Sequence, residues 1–109
     1  MITGKYPELR LRRNRKYSWA RKLIQENTLS PSDFILPIFL IDGSNKKESI
    51  SSMPGVYRYT INRLSQIIDR AIKNGIPVVA LFPKTKNNLK NEIGSESLNE
   101  NNLVCRAII

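Results

Sequence analysis

Two stretches of this chain are apolar almost without interruption, and a helical stripe lies between them. "FILPIFLI" at 34–41 and "IPVVALFP" at 76–83 are bounded by turn residues, which is the pattern of strands buried on both faces of a parallel sheet. Pro37 conflicts with the first of them, because it removes one ladder donor, so a bulge or an early end is expected there. Between the runs, "INRLSQIIDRAIKNG" repeats apolar residues at helical spacing: Ile61, Leu64, Ile67, Ile68, Ala71 and Ile72. Thr60 is the expected cap of that helix and Asn74-Gly75 its stop. Strand, helix, strand predicts a βαβ unit with parallel strands and a right-handed crossover.

Other segments read as connections. "SPSDF" predicts a turn opened by Ser30, Pro31 and Asp33, and "DGSNKKES" a polar turn. Pro54-Gly55 in "SMPGVYR" fits a type II turn, with Gly55 at positive φ. Ser18 can cap a short helix running to about Asn27, with Trp19, Ala20, Leu23 and Ile24 toward one face. After the second strand, "KTKNNLKNEIGSESLNENN" is a polar, Asn-rich loop. Asn102 then caps an apolar stripe, Leu103, Val104, Ala107 and Ile108, that starts a further helix. Two parallel strands apolar on both faces are not buried by one and a half helices. Residues 18–109 are therefore expected to be the beginning of a larger α/β domain, whose isolated form would aggregate readily.

Composition adds a bias of charge. The chain of 109 residues has a net charge of +9. Residues 1–22 hold eight Lys or Arg against Glu8 alone, giving +7, and the rest hold ten against eight acids, giving +2. The basicity therefore belongs to an N-terminal arm, residues 1–17, anchored sparsely by Ile2, Tyr6, Leu9, Leu11 and Tyr17. Clustered Arg can neutralise phosphates, so nucleic acid or an acidic partner is one reading of "RLRRNRK". A solvated or partner-binding arm is the other. Neither an apolar leader nor a membrane-length apolar run is present in these residues, and the lone Cys105 excludes an internal disulfide. A cytoplasmic location is expected.

Candidate chemistry is thin. Lys84 follows the second strand, where a desolvated lysine could form a Schiff base. Lys86 and Lys90 share its polar loop, however, and favour a solvated reading. Cys105 sits at a helix start, but no His occurs in the chain to act as its base, so a packing thiol is expected. Glu92, Glu96 and Glu100 could contribute to a cation site, and no phosphate-binding glycine pattern is found.

Taken in order, "YPELRLRRNRK", "LSPSDFILPIFLIDG", "ESISSMPGVYR", "GIPVVALFP" and "LVCRAI" resemble the N-terminal third of the porphobilinogen synthase (5-aminolevulinate dehydratase) family. The resemblance implies a basic arm followed by the first two βα units of a (β/α)8 TIM barrel, an incomplete one, since such a barrel takes ~250 residues. It implies an enzyme of haem and tetrapyrrole biosynthesis that joins two 5-aminolevulinate molecules into porphobilinogen with loss of water. Its Schiff-base lysines, metal ligands and substrate-carboxylate binders would all lie beyond residue 109, so no catalytic, substrate-binding or metal residue is assigned here. Neither Lys84 nor Cys105 matches them. By barrel geometry Phe82, Pro83 and Lys84 would stand near the mouth, and Gly75 and Ile76 at the opposite end. The wording of the arm and of "SMPGVYR" is similar to the Mg2+-using branch, with Zn2+ as the alternative. The resemblance also implies a homo-octamer whose arms wrap neighbouring subunits, with Arg10, Arg12, Arg13 and Arg15 as clasping residues. Where the family carries a basic residue after "RAI" this chain has Ile109, as a frameshift, a truncation or an expressed piece would give. The chain alone is expected to be inactive. Two other readings stand beside it: a basic adaptor, and an interaction-only remnant that docks on full-length subunits.

Overall fold

The structure, a computed structural model, describes residues 3–109. Four strands form one mixed sheet: β1 (Ile35–Leu40), β2 (Lys47–Ser49), β3 (Tyr57–Tyr59) and β4 (Val78–Pro83), in the order β2-β3-β1-β4. Three α-helices accompany it: α1 (Ser18–Leu23), α2 (Leu64–Lys73) and α3 (Leu103–Ile108). The expected parallel pair is β1 with β4, matched without a break from Ile35↔Val78 to Leu40↔Pro83. Helix α2 is the crossover between them.

Pro37 neither bulges nor ends β1. In a parallel strand, successive residues turn their N–H groups to alternate neighbours. The Ile41 N–H donates to the Tyr59 carbonyl of β3, so Phe39, Pro37 and Ile35 point their nitrogens the same way. The β1–β3 ladder covers only Phe39 and Leu40, so the position of Pro37 asks for no donor. An interior strand accommodates proline because one of its neighbours is short.

The polar turn expected over 42–49 holds β2 instead, and "VYR" runs into β3. These two strands pair antiparallel, Glu48 opposite Arg58, and are joined by the turn at Pro54-Gly55. That turn is as expected: Gly55 has φ +81° and the Val56 N–H donates to the Met53 carbonyl at 3.0 Å.

Thr60 is fully buried and stands at the expected N-cap position of the helical segment, but its hydroxyl makes no capping bond. A 3-10 turn, Ile61–Arg63, intervenes before α2. The Thr60 hydroxyl accepts from the Lys46 N–H at 3.0 Å and donates to Asn62 Oδ1 at 2.7 Å, tying the loop before β2 to the end of β3. The α2 stripe is narrower than its sequence pattern. Leu64 and Ala71 are buried and Ile67 half-buried, while Ile68 and Ile72 face outward. Helix α1 is also shorter than expected. It stops at Leu23, Ser18 is its first residue and not its cap, and only Ala20 is buried. Trp19, Leu23 and Ile24 are exposed, and Trp19 stacks on Tyr17 with ring centroids 6.2 Å apart. Arm residues 3–17 are exposed apart from a half-buried Leu9, whereas Ile2 lies outside the described residues.

The core is one-sided. Ile38, Leu40 and Leu64 are buried together, with Leu36, Ile61, Ile67, Leu81, Leu103, Val104 and Ala107 against them. These come from alternate positions of β1 and β4, from the 3-10 turn before α2, and from α2 and α3. The other alternate positions, Ile35, Pro37, Phe39, Val78, Ala80 and Phe82, share the opposite face. Ile35 is 61% exposed and Phe82 50%. Phe39 and Phe82 touch across that face, ring centroids 5.7 Å apart.

The end of α2 matches its expected stop. The Gly75 N–H donates to the Ile72 carbonyl at 2.9 Å and the Ile76 N–H to the Ala71 carbonyl at 3.0 Å, with Gly75 at φ +73°. These are the two bonds of a Schellman cap, and they need a left-handed residue. A Cβ at Gly75 would meet Pro31 Cβ at 3.6 Å, an ordinary contact, so the cost of a side chain is conformational. Gly75→Ala is expected to lower stability by about 1–2 kcal/mol and Gly75→Asn by less, measured by urea denaturation. Equal stability of Gly75→Ala and the parent chain would remove the cap from the account.

Candidate functional site at the strand ends

Parallel, in-register strands deliver their following residues to the same side of the sheet. Beyond Leu40 and Pro83 these are Ile41-Asp42 and Lys84-Thr85-Lys86. The Lys84 N–H still donates to the Leu40 carbonyl at 2.8 Å, so the ladder runs on to the first residue of the loop.

Two carboxylates organise this end. Asp42 Oδ2 lies 2.8 Å from Lys86 Nζ, and Oδ1 accepts from Arg106 Nη2 at 3.3 Å and from the Gly43 N–H at 3.1 Å. Glu48 Oε1 accepts from Arg58 Nη1 and Lys84 Nζ, each at 2.8 Å. The Glu48–Arg58 pair is a cross-strand pair of β2 and β3. The hydrogen bond and charge of Lys86, then the bond from Arg106, hold the Asp42 carboxyl down to about 2. Glu48 is lowered chiefly by the hydrogen bond from Lys84, against an opposing loss of hydration, with Arg58 adding to the lowering.

A cavity of about 280 Å³ opens beside this cluster, lined in part by Asp42, Lys84, Lys86, Ser97, Asn102 and Arg106. A second, of about 340 Å³, lies toward β2 and includes Ile41, Lys46, Glu48 and Asn87. Helix α3 borders the first. Asn102 caps it as expected, its Oδ1 accepting from the Cys105 N–H at 2.9 Å.

The expected candidates separate on this map. Lys84 reaches the strand ends, but its amine is engaged by Glu48 and its side chain is 53% exposed, without apolar enclosure. That environment does not suit a Schiff-base nucleophile. Cys105 is half-buried and stands apart from the core cluster, which takes Leu103, Val104 and Ala107, so the expectation of a packing thiol holds only in part. Glu92 and Glu100 are exposed, and Glu96 accepts from the Asn99 side chain. Among the described residues no three His, Cys, Asp or Glu side chains come close enough to hold a metal ion. Arg10, Arg12, Arg13 and Arg15 are exposed in the arm; the Arg10 guanidinium lies 5.4 Å from the Tyr6 ring centroid, and the Arg15 carbonyl accepts from Arg21. No described helix is long and apolar enough to cross a membrane.

Sequence reasoning missed Asp42, Glu48, Arg58 and Arg106. The positions of Asp42 and Lys84 could have been found, because each directly follows an apolar run and parallel strands bring such positions together. Glu48 was hidden by the reading of its segment as a turn.

These features define a class: a mixed α/β sheet whose parallel strands carry charged groups at their C-terminal ends. The chain belongs to the delta-aminolevulinic acid dehydratase family, whose model matches residues 8–109. A delta-aminolevulinic acid dehydratase of Bradyrhizobium diazoefficiens is 52% identical over 100 residues, covering 92% of this chain and 28% of the relative. One of Chlamydia pneumoniae is 43% identical over 99 residues, 91% of this chain and 30% of the relative. Among solved structures, the delta-aminolevulinic acid dehydratase (porphobilinogen synthase) of Toxoplasma gondii ME49, in complex with the reaction product porphobilinogen, superposes with a TM-score of 0.80 at 40% identity. That match covers 92% of this chain and 28% of the other. The chain thus spans under a third of the length of these relatives.

The Asp42 carboxyl supplies a test of the cluster. Its folded value lies below the unfolded 3.8, so its contribution is present above 3.8 and is lost as pH falls toward about 2. A carboxyl NMR titration is expected to give a midpoint near 2 that moves up toward 3.8 in Lys86→Met. A midpoint unchanged by Lys86→Met would contradict the ion pair.

Proposed function

We propose that residues 18–109 supply the first two βα units of a (β/α)8 barrel, behind an arm of residues 1–17, in an enzyme that condenses two 5-aminolevulinate molecules into porphobilinogen with loss of water. The observation that carries this reading is the family match over residues 8–109, together with a parallel β1–β4 pair helix-covered on one face only. In a barrel the bare face, with Phe39 and Phe82, turns inward, and β4 offers its outer edge to the next strand. The strand-end cluster of Asp42, Glu48, Lys84 and Lys86 then stands at the mouth, where barrel enzymes gather their chemistry.

In this reading the chain's residues build and shape the wall of the site, and the Schiff-base lysines come from elsewhere in the enzyme. Mg2+ is the metal proposed for the whole enzyme, with Zn2+ as the alternative. The described residues of this chain do not form a site for either, so no step is derived through a metal. The exposed, basic arm suits a role between subunits of a homo-octamer, Arg10, Arg12, Arg13 and Arg15 seeking carboxylates on a neighbour. A cytoplasmic setting fits this enzyme.

Two assays test the reading. The purified chain, given 5-aminolevulinate and Mg2+, is expected to form no porphobilinogen, and product above background would overturn the assignment of catalysis to other parts of the enzyme. A chimera joining this chain to the remaining sequence of the Bradyrhizobium relative is expected to form porphobilinogen. A chimera that is folded by circular dichroism but inactive would contradict the proposal that this segment is a working part of that barrel.

A further inference from the structure

The 84–102 segment connects β4 to α3 with two short 3-10 turns, Asn87–Leu89 and Ser95–Leu98, and no strand or α-helix. Its own apolar residues do not hold it down, since Leu89, Ile93 and Leu98 are exposed. Its internal bonds are local: the Asn91 side chain accepts from the Ser95 N–H at 3.0 Å, and the Ser97 hydroxyl donates to the Gly94 carbonyl at 2.7 Å. Such bonds shape the segment without fixing it to the sheet.

What fixes it is charge: Lys84 is held by Glu48 and by the Leu40 carbonyl, and two further cations converge on one residue. Lys86, near the start of the segment, sits on Asp42 Oδ2 at 2.8 Å. Arg106, just past its end, reaches Asp42 Oδ1 through Nη2 at 3.3 Å while its Nε donates to the Asn101 carbonyl at 3.1 Å. The Gly43 N–H donates to the same Oδ1 and sets the orientation of the carboxylate. One side chain at the end of β1 therefore holds both ends of the connection. Closing a loop of this length costs entropy that local turns do not recover.

We infer that Asp42 is a two-point latch that holds the 84–102 segment against the C-terminal ends of β1 and β4. Single exposed ion pairs contribute little, but here one carboxylate serves two of them, so its removal releases both contacts together, while Lys84 stays on Glu48 and α3 on the core. The inference stands on contacts within this chain and does not depend on the enzymatic reading.

Amide hydrogen exchange of the full chain tests it. In Asp42→Asn, which keeps the side-chain shape and removes the charge, the amides of Leu89, Lys90, Ser97 and Asn99 are expected to exchange about threefold faster or more, as a surface ion network allows. Those of Asn74 and Gly75, at the end of α2, are expected to be unchanged. Lys86→Gln is expected to act mainly on Leu89 and Lys90, and Arg106→Gln mainly on Asn99 and Asn102. Neither should add to the effect of Asp42→Asn when combined with it. Unchanged exchange across the segment in Asp42→Asn would overturn the latch. So would an equal acceleration at Asn74 and Gly75, or full additivity in the double variants.

Discussion

The six-residue parallel ladder between β1 and β4 is the constraint from which the rest of the structure follows. Parallel pairing cannot be closed by a tight turn, so a crossover is required, and α2 provides it. The crossover lies on one side of the sheet, and α3 joins it there. Ile38, Leu40 and Leu81 are thereby covered, while Ile35, Phe39, Val78 and Phe82 are left on the other side with no helix over them among the described residues. An apolar face of this kind is what parallel sheets bury in larger α/β assemblies.

The same ladder creates the electrostatics. Because Leu40 and Pro83 are register partners, the residues after them meet at one end, and Asp42 comes within reach of Lys86. The short β2–β3 pair brings Glu48 and Arg58 to the same end, where Glu48 meets Lys84. Two carboxylates and four cations hold five separate parts of the chain together at a place with little apolar packing. The arm, by contrast, carries most of the net positive charge and has little opposite charge within reach.

The apolar runs, the crossover, the Gly75 stop and the Asn102 cap were legible because each depends on local pattern. Periodicity reports which face is buried, and αL or capping positions name their own residue types. What escaped depends on distant partners. Pro37 reads as a strand breaker until the shortness of β3 is known. Thr60 reads as a cap until Lys46 and Asn62 are placed beside it. The strand β2 has three residues, too few for an alternation to register. Of the strand-end cluster, only the positions of Asp42 and Lys84 could be anticipated, since which cation meets which carboxylate depends on how the 84–102 segment folds back. The arm arginines were found by composition, and the family match by ordered motifs that no single periodicity explains.

The one-sided core is the central claim, and paired substitutions on the two faces of the sheet test it most directly. In urea denaturation of the chain, Ile38→Ala is expected to cost about 2–5 kcal/mol or to abolish the folded state. Phe82→Ser, on the bare face where Phe82 is half-exposed and meets Phe39, is expected to cost about 1 kcal/mol. Comparable losses from the two substitutions would mean that both faces are packed in the isolated chain, and would contradict the account.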